Sequence, residues 1–241
     1  MIYFIGDSHL GARYIADHKA HEARLCRWLD MIAPDCEELY LLGDIIDYWF
    51  EYKTVVPRGY VRFLGRLASL VDKGVKVVWL KGNHDMWISD YLPDEIGVEV
   101  VDGVYDTVIK GKRFVMEHGD GVGRLPRVYS IMRRMFRNKF LRRLYASVHP
   151  RLTMGFAHVW SSHSRKAGGY AHVDPSPLVE WAEQYVRTEG PVDYFVLGHL
   201  HTPFQTKLSS GGELTIVGDC IHGLSYAAFN GTSLSLCVAE K

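Results

Sequence analysis

The stretch VKVVWLKGNHD, residues 75–85, decides the fold prediction. Its first half is an apolar run rich in β-branched residues, which is typical of a strand buried on both faces of a parallel sheet. Its second half leaves that strand through a glycine and then places an amide, an imidazole and a carboxylate in a row. A buried strand normally ends in simple turn residues, so these side chains indicate a functional site at the mouth of a sheet.

The same pattern extends outward through the chain. IYFIG and LYLLGD are predicted as two further buried strands, and helices are predicted over His18–Met31 and Tyr60–Val71. Repeats of strand, helix and strand produce a parallel sheet with right-handed crossovers. Farther along we expect a helix over Ser176–Thr188, the strand DYFVLGH, and a C-terminal hairpin at Asn230–Gly231.

Five predicted strands end in polar side chains, within the motifs D-x-H, GD, GNHD, HGD and GHLHTP. In open α/β sheets, ligands bind beyond the carboxyl ends of the strands, and neighbouring glycines let the backbone turn sharply there. The candidate residues, in chain order, are Asp7, His9, Asp44, Asn83, His84, Asp85, His118, Asp120, His199 and His201.

This set mixes oxygen and nitrogen ligands and contains no cysteine. It suits Mn²⁺, Fe²⁺ or Zn²⁺ and argues against a thiolate-bound structural zinc. The candidates are too many for one ion but suffice for two ions if one carboxylate bridges them, and Asp44 is the natural bridge. Two ions about 4 Å apart can activate a water and stabilise both the attacking and the leaving oxygens.

In this order the motifs resemble those of the calcineurin-like metallophosphoesterases over nearly the whole chain. The resemblance implies an α/β fold, a four-layer αββα sandwich, formed by a single domain over residues 1–241 with an inserted helical cap. It implies that His84 protonates the leaving group and that Asp85 orients His84. The implied ligands are Asp7, His9, Asp44 and His201 for one metal, and Asp44, Asn83, His118 and His199 for the other.

A basic segment interrupts this plan. Residues 121–173 contain eleven Lys or Arg residues and no Asp or Glu, which indicates an inserted cap with its own partner. On a helical wheel the apolar phase reverses after Asn138, so two short helices are predicted rather than one. Such helices can lie on an anionic membrane, roof a pocket for a phosphate-bearing amphiphile, or form a packed insertion with solvated arginines. Nucleic-acid binding is disfavoured because few aromatic residues interleave with the basic ones.

One subfamily, the UDP-2,3-diacylglucosamine pyrophosphohydrolases of the lipid A pathway, is similar in its cap and in the motif GDIIDYW. The resemblance implies hydrolysis of the substrate pyrophosphate to UMP and 2,3-diacylglucosamine 1-phosphate, with two divalent ions, for which Mn²⁺ is expected. The assigned substrate contacts are Asn83, His84, Arg124, Arg165, Lys166 and His199. This chain has GNHD where well-known members have GNRD, so a general phosphodiesterase or nucleotide phosphatase is the alternative, and an inactive scaffold is a third.

Other residues around the motifs receive secondary roles. Asp47 is predicted to support a ligand and Trp49 to line the pocket. The remaining histidines are expected to be structural, although His222 is a candidate for the edge of the site. The cysteines are expected to be buried and reduced, and no apolar run approaches the ~18 residues of a membrane span. We therefore expect a cytoplasmic protein without a secretory signal, associated peripherally with the inner membrane through its basic cap.

Overall fold

The computed structural model describes residues 1–123, 125–150, 153 and 174–239, which form two β-sheets flanked by helices. The elements are β1 Ile2–Ile5, α1 His18–Ile32, β2 Glu38–Leu41, α2 Val61–Asp72, β3 Lys76–Leu80, α3 Tyr91–Ile96, β4 Glu99–Val101, β5 Tyr105–Ile109, β6 Lys112–Glu117, α4 Arg127–Phe136, α5 Lys139–Ala146, α6 Ser176–Glu189, β7 Tyr194–Leu197, β8 Phe204–Lys207, β9 Glu213–Ile216, β10 Leu224–Phe229 and β11 Leu234–Ala239.

The strand order brings the predicted loops to one edge of each sheet. The first sheet runs β11-β10-β1-β2-β3-β4, and β1 to β4 are mutually parallel. The second runs β5-β6-β7-β9-β8, and β6, β7 and β9 are parallel. Because parallel strands end at the same edge, the segments after β1, β2 and β3 start side by side, as do those after β6, β7 and β9. The predicted parallel sheet is confirmed.

Both faces of the sheets are covered, which explains the uninterrupted apolar runs. Along β1, Ile2 and Phe4 enter the core between the two sheets, whereas Tyr3 and Ile5 pack in the core beneath α1 and α2. Phe4 stacks on Phe114 of the opposite sheet with ring centroids 5.6 Å apart. A third core joins the second sheet to α6. The layers are therefore helix, sheet, sheet and helix, as the α/β sandwich prediction requires.

The cap segment begins with two helices rather than one. α4 ends at Phe136, and the side chain of Asn138 caps α5 by accepting hydrogen bonds from the backbone N–H groups of Phe140 and Leu141, at 2.9 and 3.1 Å. The predicted break near Asn138 is confirmed. None of the helices formed by the described residues is both long and apolar enough to cross a bilayer.

Two local features refine the sequence prediction. The short helix α3 was not predicted; Glu51, about forty positions upstream, stabilises its start by accepting hydrogen bonds from the backbone N–H groups of Asp90 and Tyr91. The C-terminal hairpin at Asn230–Gly231 is confirmed, since β10 and β11 on either side of it pair antiparallel and Phe229 lies opposite Leu234.

The cysteines have the following positions. Cys26, Cys36 and Cys220 are buried as expected, whereas Cys237 on β11 is only partly buried; all four are free thiols.

Candidate metal centre

The predicted ligands lie on loops that follow β1, β2, β3, β6 and β7, where backbone hydrogen bonds tie the loops together. The N–H of Asp7 donates to Gly43 O at 3.1 Å, and the N–H of His9 donates to Asp44 O at 2.9 Å. Across the sheets, the N–H of His199 donates to the Asp7 carboxylate at 2.7 Å. These contacts hold residues from opposite ends of the chain at one place.

The backbone of these loops is strained at the ligand positions. Among the described residues, seven other than glycine have positive φ, and five of them are predicted ligands: Asp7, His9, Asp44, His199 and His201. A left-handed conformation costs an ordinary residue about 1–2 kcal/mol. Strain of this kind persists only where the surroundings fix the conformation, and it is concentrated at functional sites.

The ligand atoms form two adjoining clusters. In the first, His201 Nε2 lies 3.5 Å from Asp7 Oδ1 and 3.3 Å from His9 Nε2. In the second, Asp44, His118 and His199 converge, with His118 Nε2 lying 3.4 Å from Asp44 Oδ2 and 3.3 Å from Asn83 Oδ1. Asp44 Oδ2 also lies 3.7 Å from His9 Nε2, so Asp44 stands between the clusters, where the predicted bridge belongs.

The clusters fit cations because several histidines present lone pairs inward. Nδ1 of His118 donates to Leu42 O at 2.8 Å, and Nδ1 of His9 faces Asp47 Oδ1 at 3.2 Å. With the proton of a neutral imidazole placed on Nδ1, Nε2 is left as a lone-pair donor facing the cluster. The two facing Nε2 atoms of His9 and His201 are the arrangement that a shared cation stabilises.

A buried oxygen and three perturbed pKa values support the same fit. Asp7 Oδ1 is buried and has no hydrogen-bond partner among the described residues. Burial alone would raise the pKa of Asp44, but the positive charges of the protonated forms of His118 and His84 outweigh it and hold that pKa well below its usual range. Asp44 in turn raises the pKa of His118 against the effect of its burial, so this cluster favours positive charge, which a bound cation supplies in place of the His118 proton. Burial, followed by the nearby His118, lowers the pKa of His199 to about 4. Near pH 7, Asp44 is thus a carboxylate and His199 a neutral imidazole.

His84 is positioned by a residue other than the predicted one. Its Nδ1 donates to Asp47 O at 2.8 Å and lies 3.4 Å from Asp47 Oδ1, while its Nε2 lies 3.9 Å from Asp44 Oδ2. The Asp85 carboxylate instead accepts hydrogen bonds from the backbone of Gly82 and Ile45 and from the Trp79 indole. The interpretation of Asp85 as the orienting partner of His84 is therefore corrected, and Asp47 occupies that position.

Asp85 nevertheless shapes the site. It is fully buried, and burial, with a further contribution from Asp44, raises the pKa of its carboxyl group to about 6. Its acceptor oxygens hold the loop after β3 against the loop after β2. Asp85 thus fixes the backbone on either side of Asn83, a predicted ligand.

The other predicted residues have different outcomes. Trp49 is wrong as a pocket-lining residue, because it is fully buried in the core beneath the first sheet and its indole donates to Glu51 at 2.8 Å. His21 is structural as expected, with Nε2 donating to Ser8 O at 2.6 Å. The assigned cap contacts lie outside the described residues: Arg124, Arg165 and Lys166.

Sequence reasoning missed one carboxylate at the edge of the site. Asp219 follows β9, is only 5% exposed, and contacts the rings of His201 and His222. Its signal was present, since V-G-D after an apolar strand repeats the arrangement that marks Asp44. Asp120 was noted without a role, and it receives the guanidinium of Arg133 from α4 at 2.8 Å.

Comparison with known proteins identifies the family. A family model described as calcineurin-like phosphoesterase matches residues 1–203. A UDP-2,3-diacylglucosamine hydrolase from Porphyromonas gingivalis is 39% identical over 251 residues, which cover 98% of this chain and 96% of that protein. This chain belongs to the calcineurin-like phosphoesterase family.

More distant relatives also match over most of the chain. A UDP-2,3-diacylglucosamine hydrolase from Shewanella is 26% identical, covering 90% of this chain and 88% of that protein. The solved structure of the phosphoesterase Yfce from E. coli has a TM-score of 0.47 at 15% identity, covering 98% of this chain and 97% of that chain. Family membership confirms the predicted fold class and makes this calcineurin-like phosphoesterase a hydrolase.

Proposed function

We propose that this phosphoesterase hydrolyses the pyrophosphate of UDP-2,3-diacylglucosamine, giving UMP and 2,3-diacylglucosamine 1-phosphate in lipid A biosynthesis. The observation that carries the proposal is a row of three overlapping groups of possible ligands: Asp7, His9 and His201, then His9, Asp44 and His84, then Asp44, His118 and His199. The substrate comes from the relatives named UDP-2,3-diacylglucosamine hydrolase, one of which aligns over nearly the whole chain. The proposal therefore combines a site in this chain with a substrate from its relatives.

Two divalent cations, with Mn²⁺ the expected ion, would supply an activated water and charge compensation for the phosphoryl oxygens. The proposed ligands are Asp7, His9, Asp44 and His201 for one ion, and Asp44, Asn83, His118 and His199 for the other. Because a bridging ligand experiences both ions, the low pKa of Asp44 matters most: a protonated carboxyl could not hold both.

His84 is proposed as the group that protonates the leaving oxygen. Its Nδ1–H is committed to Asp47 O, so the second proton of its imidazolium form lies on Nε2, the ring atom that faces Asp44. A donor held in this way needs no reorientation when the leaving oxygen develops charge. Asn83, His84 and His199 are the described residues proposed to contact the phosphoryl group.

We further propose that residues 121–173 form a cap within a single domain and contact both the acyl chains and the cytoplasmic face of the inner membrane. The described part of this cap supports the proposal. Val128, Phe140 and Leu144 are 78%, 72% and 59% exposed on helices that also carry arginines. Exposed apolar and cationic side chains on the same short helices suit an anionic lipid surface.

The deciding experiment measures UMP release from UDP-2,3-diacylglucosamine dispersed in detergent, with Mn²⁺ and with chelator. We expect metal-dependent release that His118→Ala abolishes, because His118 links Asn83 and Asp44 in the second cluster. His18→Ala, an exposed histidine at the start of α1, is the matched control and should retain activity. Brisk cleavage of a small chromogenic diester without UMP release would favour the alternative, a general phosphodiesterase.

A further inference from the structure

The loop after β9 places one carboxylate between two imidazoles at the edge of the metal centre. Asp219 Oδ2 lies 3.4 Å from Nδ1 of His201 and 2.9 Å from Nδ1 of His222. His201 is a proposed ligand through its opposite ring nitrogen, Nε2, which faces Asp7 and His9. Asp219 therefore contacts the proposed ligand on the side away from the ion.

The Asp219 carboxylate is held by its own turn. Its Oδ1 accepts hydrogen bonds from the backbone N–H groups of Ile221 and His222, at 3.1 and 3.2 Å. Its backbone carbonyl accepts the Ser225 hydroxyl at 3.0 Å. These bonds hold the Asp219 carboxyl group in one orientation, with Oδ1 turned to its own turn and Oδ2 facing the two imidazoles.

A second anchor holds this turn from behind. On α1, the guanidinium of Arg24 donates to the backbone carbonyls of Cys220 and Ile221, the two residues after Asp219. The same guanidinium contacts His21, whose other ring nitrogen donates to Ser8 O between the ligands Asp7 and His9. Helix α1 therefore ties the loop of Asp219 to the loop that carries two ligands of the same cluster.

An equivalent contact exists at the other histidine of this cluster. His9 faces Asp47 Oδ1 through Nδ1 at 3.2 Å, just as His201 faces Asp219 Oδ2. In the second cluster, the Nδ1 of His118 meets a neutral carbonyl, Leu42 O. A carboxylate behind a ligating imidazole fixes its tautomer and ring orientation and raises its basicity more than a neutral acceptor does.

We propose that Asp219 is a positioning residue that orients His201 as a metal ligand and makes its Nε2 a stronger donor. The inference rests on the proposed two-ion function and adds a residue to it. It predicts that the loss of the Asp219 charge weakens the ion held by Asp7, His9, Asp44 and His201, while the other ion is held as before.

The test is calorimetric titration of metal-free protein with Mn²⁺, together with the visible absorption spectrum of the Co²⁺-substituted protein. In Asp219→Asn we expect one of two binding steps to weaken by about 10- to 100-fold, the usual loss for removing the partner of a ligating histidine. The Co²⁺ spectrum should shift, because a reoriented imidazole changes the ligand field. Asp72→Asn, which removes an exposed charge at the end of α2, should change neither measurement.

Two further variants separate the possible outcomes. His222→Gln keeps the contact between Asp219 and His201, so its affinities should stay near wild type; an equal loss there would indicate general loosening of the turn and overturn the inference. If Asp219→Asn does not fold, Asp219→Glu keeps the charge but misplaces the oxygens and should weaken the same step. Wild type that binds two ions, with Asp219→Asn equally tight, would refute this inference alone. Wild type that binds none, or His201→Ala that loses no step, would refute the proposed function.

Discussion

The loops that carry the predicted ligands and the two helices α4 and α5 are held to the sheets by different kinds of contact. Asp7, His9 and His118 are almost completely buried, and both backbone and side-chain hydrogen bonds fix them. In α4 and α5, no residue is buried, and the observed attachments are a few side chains.

Those attachments lie next to the ligand loops. Arg133 pairs with Asp120, which lies two residues beyond His118. The indole of Trp87, three residues beyond His84, donates to Phe136 O at 2.8 Å. Tyr145 of α5 packs on the same indole. The difference indicates that the predicted ligands are held in a fixed geometry, whereas α4 and α5 are attached at a few points and leave apolar side chains facing outward.

The largest expected loss of activity follows substitution of Asp44, which lies between the two clusters. Asp44→Asn keeps the shape of the side chain but removes the charge shared by both clusters. The rate of UMP release should therefore fall by more than 100-fold, since a loss of about 100-fold is the upper range for removing a residue that only hydrogen-bonds to a ligand. The number of Mn²⁺ ions bound per chain should fall with it. Asp30→Asn, an exposed aspartate of α1 paired with Arg66, is the control and should keep both. Two tightly bound ions and near-normal turnover in Asp44→Asn would show that Asp44 is not the bridge.

Close packing of the ligand loops predicts the next largest effect. A Cβ added at Gly82 would come within 2.5 Å of the Asp44 amide nitrogen, which belongs to the backbone and cannot swing away. Gly82→Ala should therefore lower the free energy of unfolding by about 1–3 kcal/mol, the usual cost of overpacking. Urea unfolding monitored by circular dichroism measures the change.

The same substitution in a helix supplies the control. A Cβ at Gly65 of α2 would meet no heavy atom within 4 Å, so Gly65→Ala should raise stability by about 0.5–1 kcal/mol through improved helix propensity. The two stability changes need only differ in sign. A Gly82→Ala protein as stable as wild type would mean that the loops are less rigid than their contacts imply.

The sequence predicted the site residues correctly where polar side chains come directly after a buried strand. Asp7, His9, Asn83 and His118 could be located because a buried strand leaves an unbroken apolar run, and the polar residues after it lie at a known edge of the sheet. The buried strands also predicted a parallel sheet covered on both faces, whereas the four-layer arrangement came from the resemblance of the motifs to the family.

Contacts between distant loops could not be read in this way. Asp85 was assigned to His84 from the resemblance of the GNHD motif, but its hydrogen-bond donors include Ile45, forty residues upstream. Trp49 was placed in the pocket because of a motif, whereas the backbone after β2 directs its ring into the core. Helix α3 was missed because its N-terminal partner is the distant Glu51. Sequence spacing carries no record of such pairings.

A smaller effect is expected where the cap is attached. Trp87→Phe keeps an aromatic ring against Phe136 and Tyr145 but removes the indole hydrogen bond to Phe136 O. One such bond contributes about 1 kcal/mol, so the population in which α4 and α5 are detached should rise roughly fivefold. The rate of tryptic cleavage within these arginine-rich helices measures that population. Trp181→Phe on α6, which packs on Phe195, is the matched control and should leave that rate unchanged. An unaltered rate in Trp87→Phe would mean that Arg133 and the neighbouring contacts suffice to hold the cap.

The smallest expected effect on the folded state is at the outward face of α5. Phe140 is mostly exposed, so Phe140→Ser should change the free energy of unfolding by less than about 0.5 kcal/mol. The same variant should bind anionic phospholipid vesicles more weakly in a sedimentation assay, because the apolar ring no longer enters the lipid surface beside the cations. Val108→Ser, an equally apolar and exposed position on β5 of the second sheet, should leave vesicle binding unchanged. If the two variants sediment alike, the exposed face of α5 is not a lipid contact, and a pocket roof or a packed insertion remains as its role.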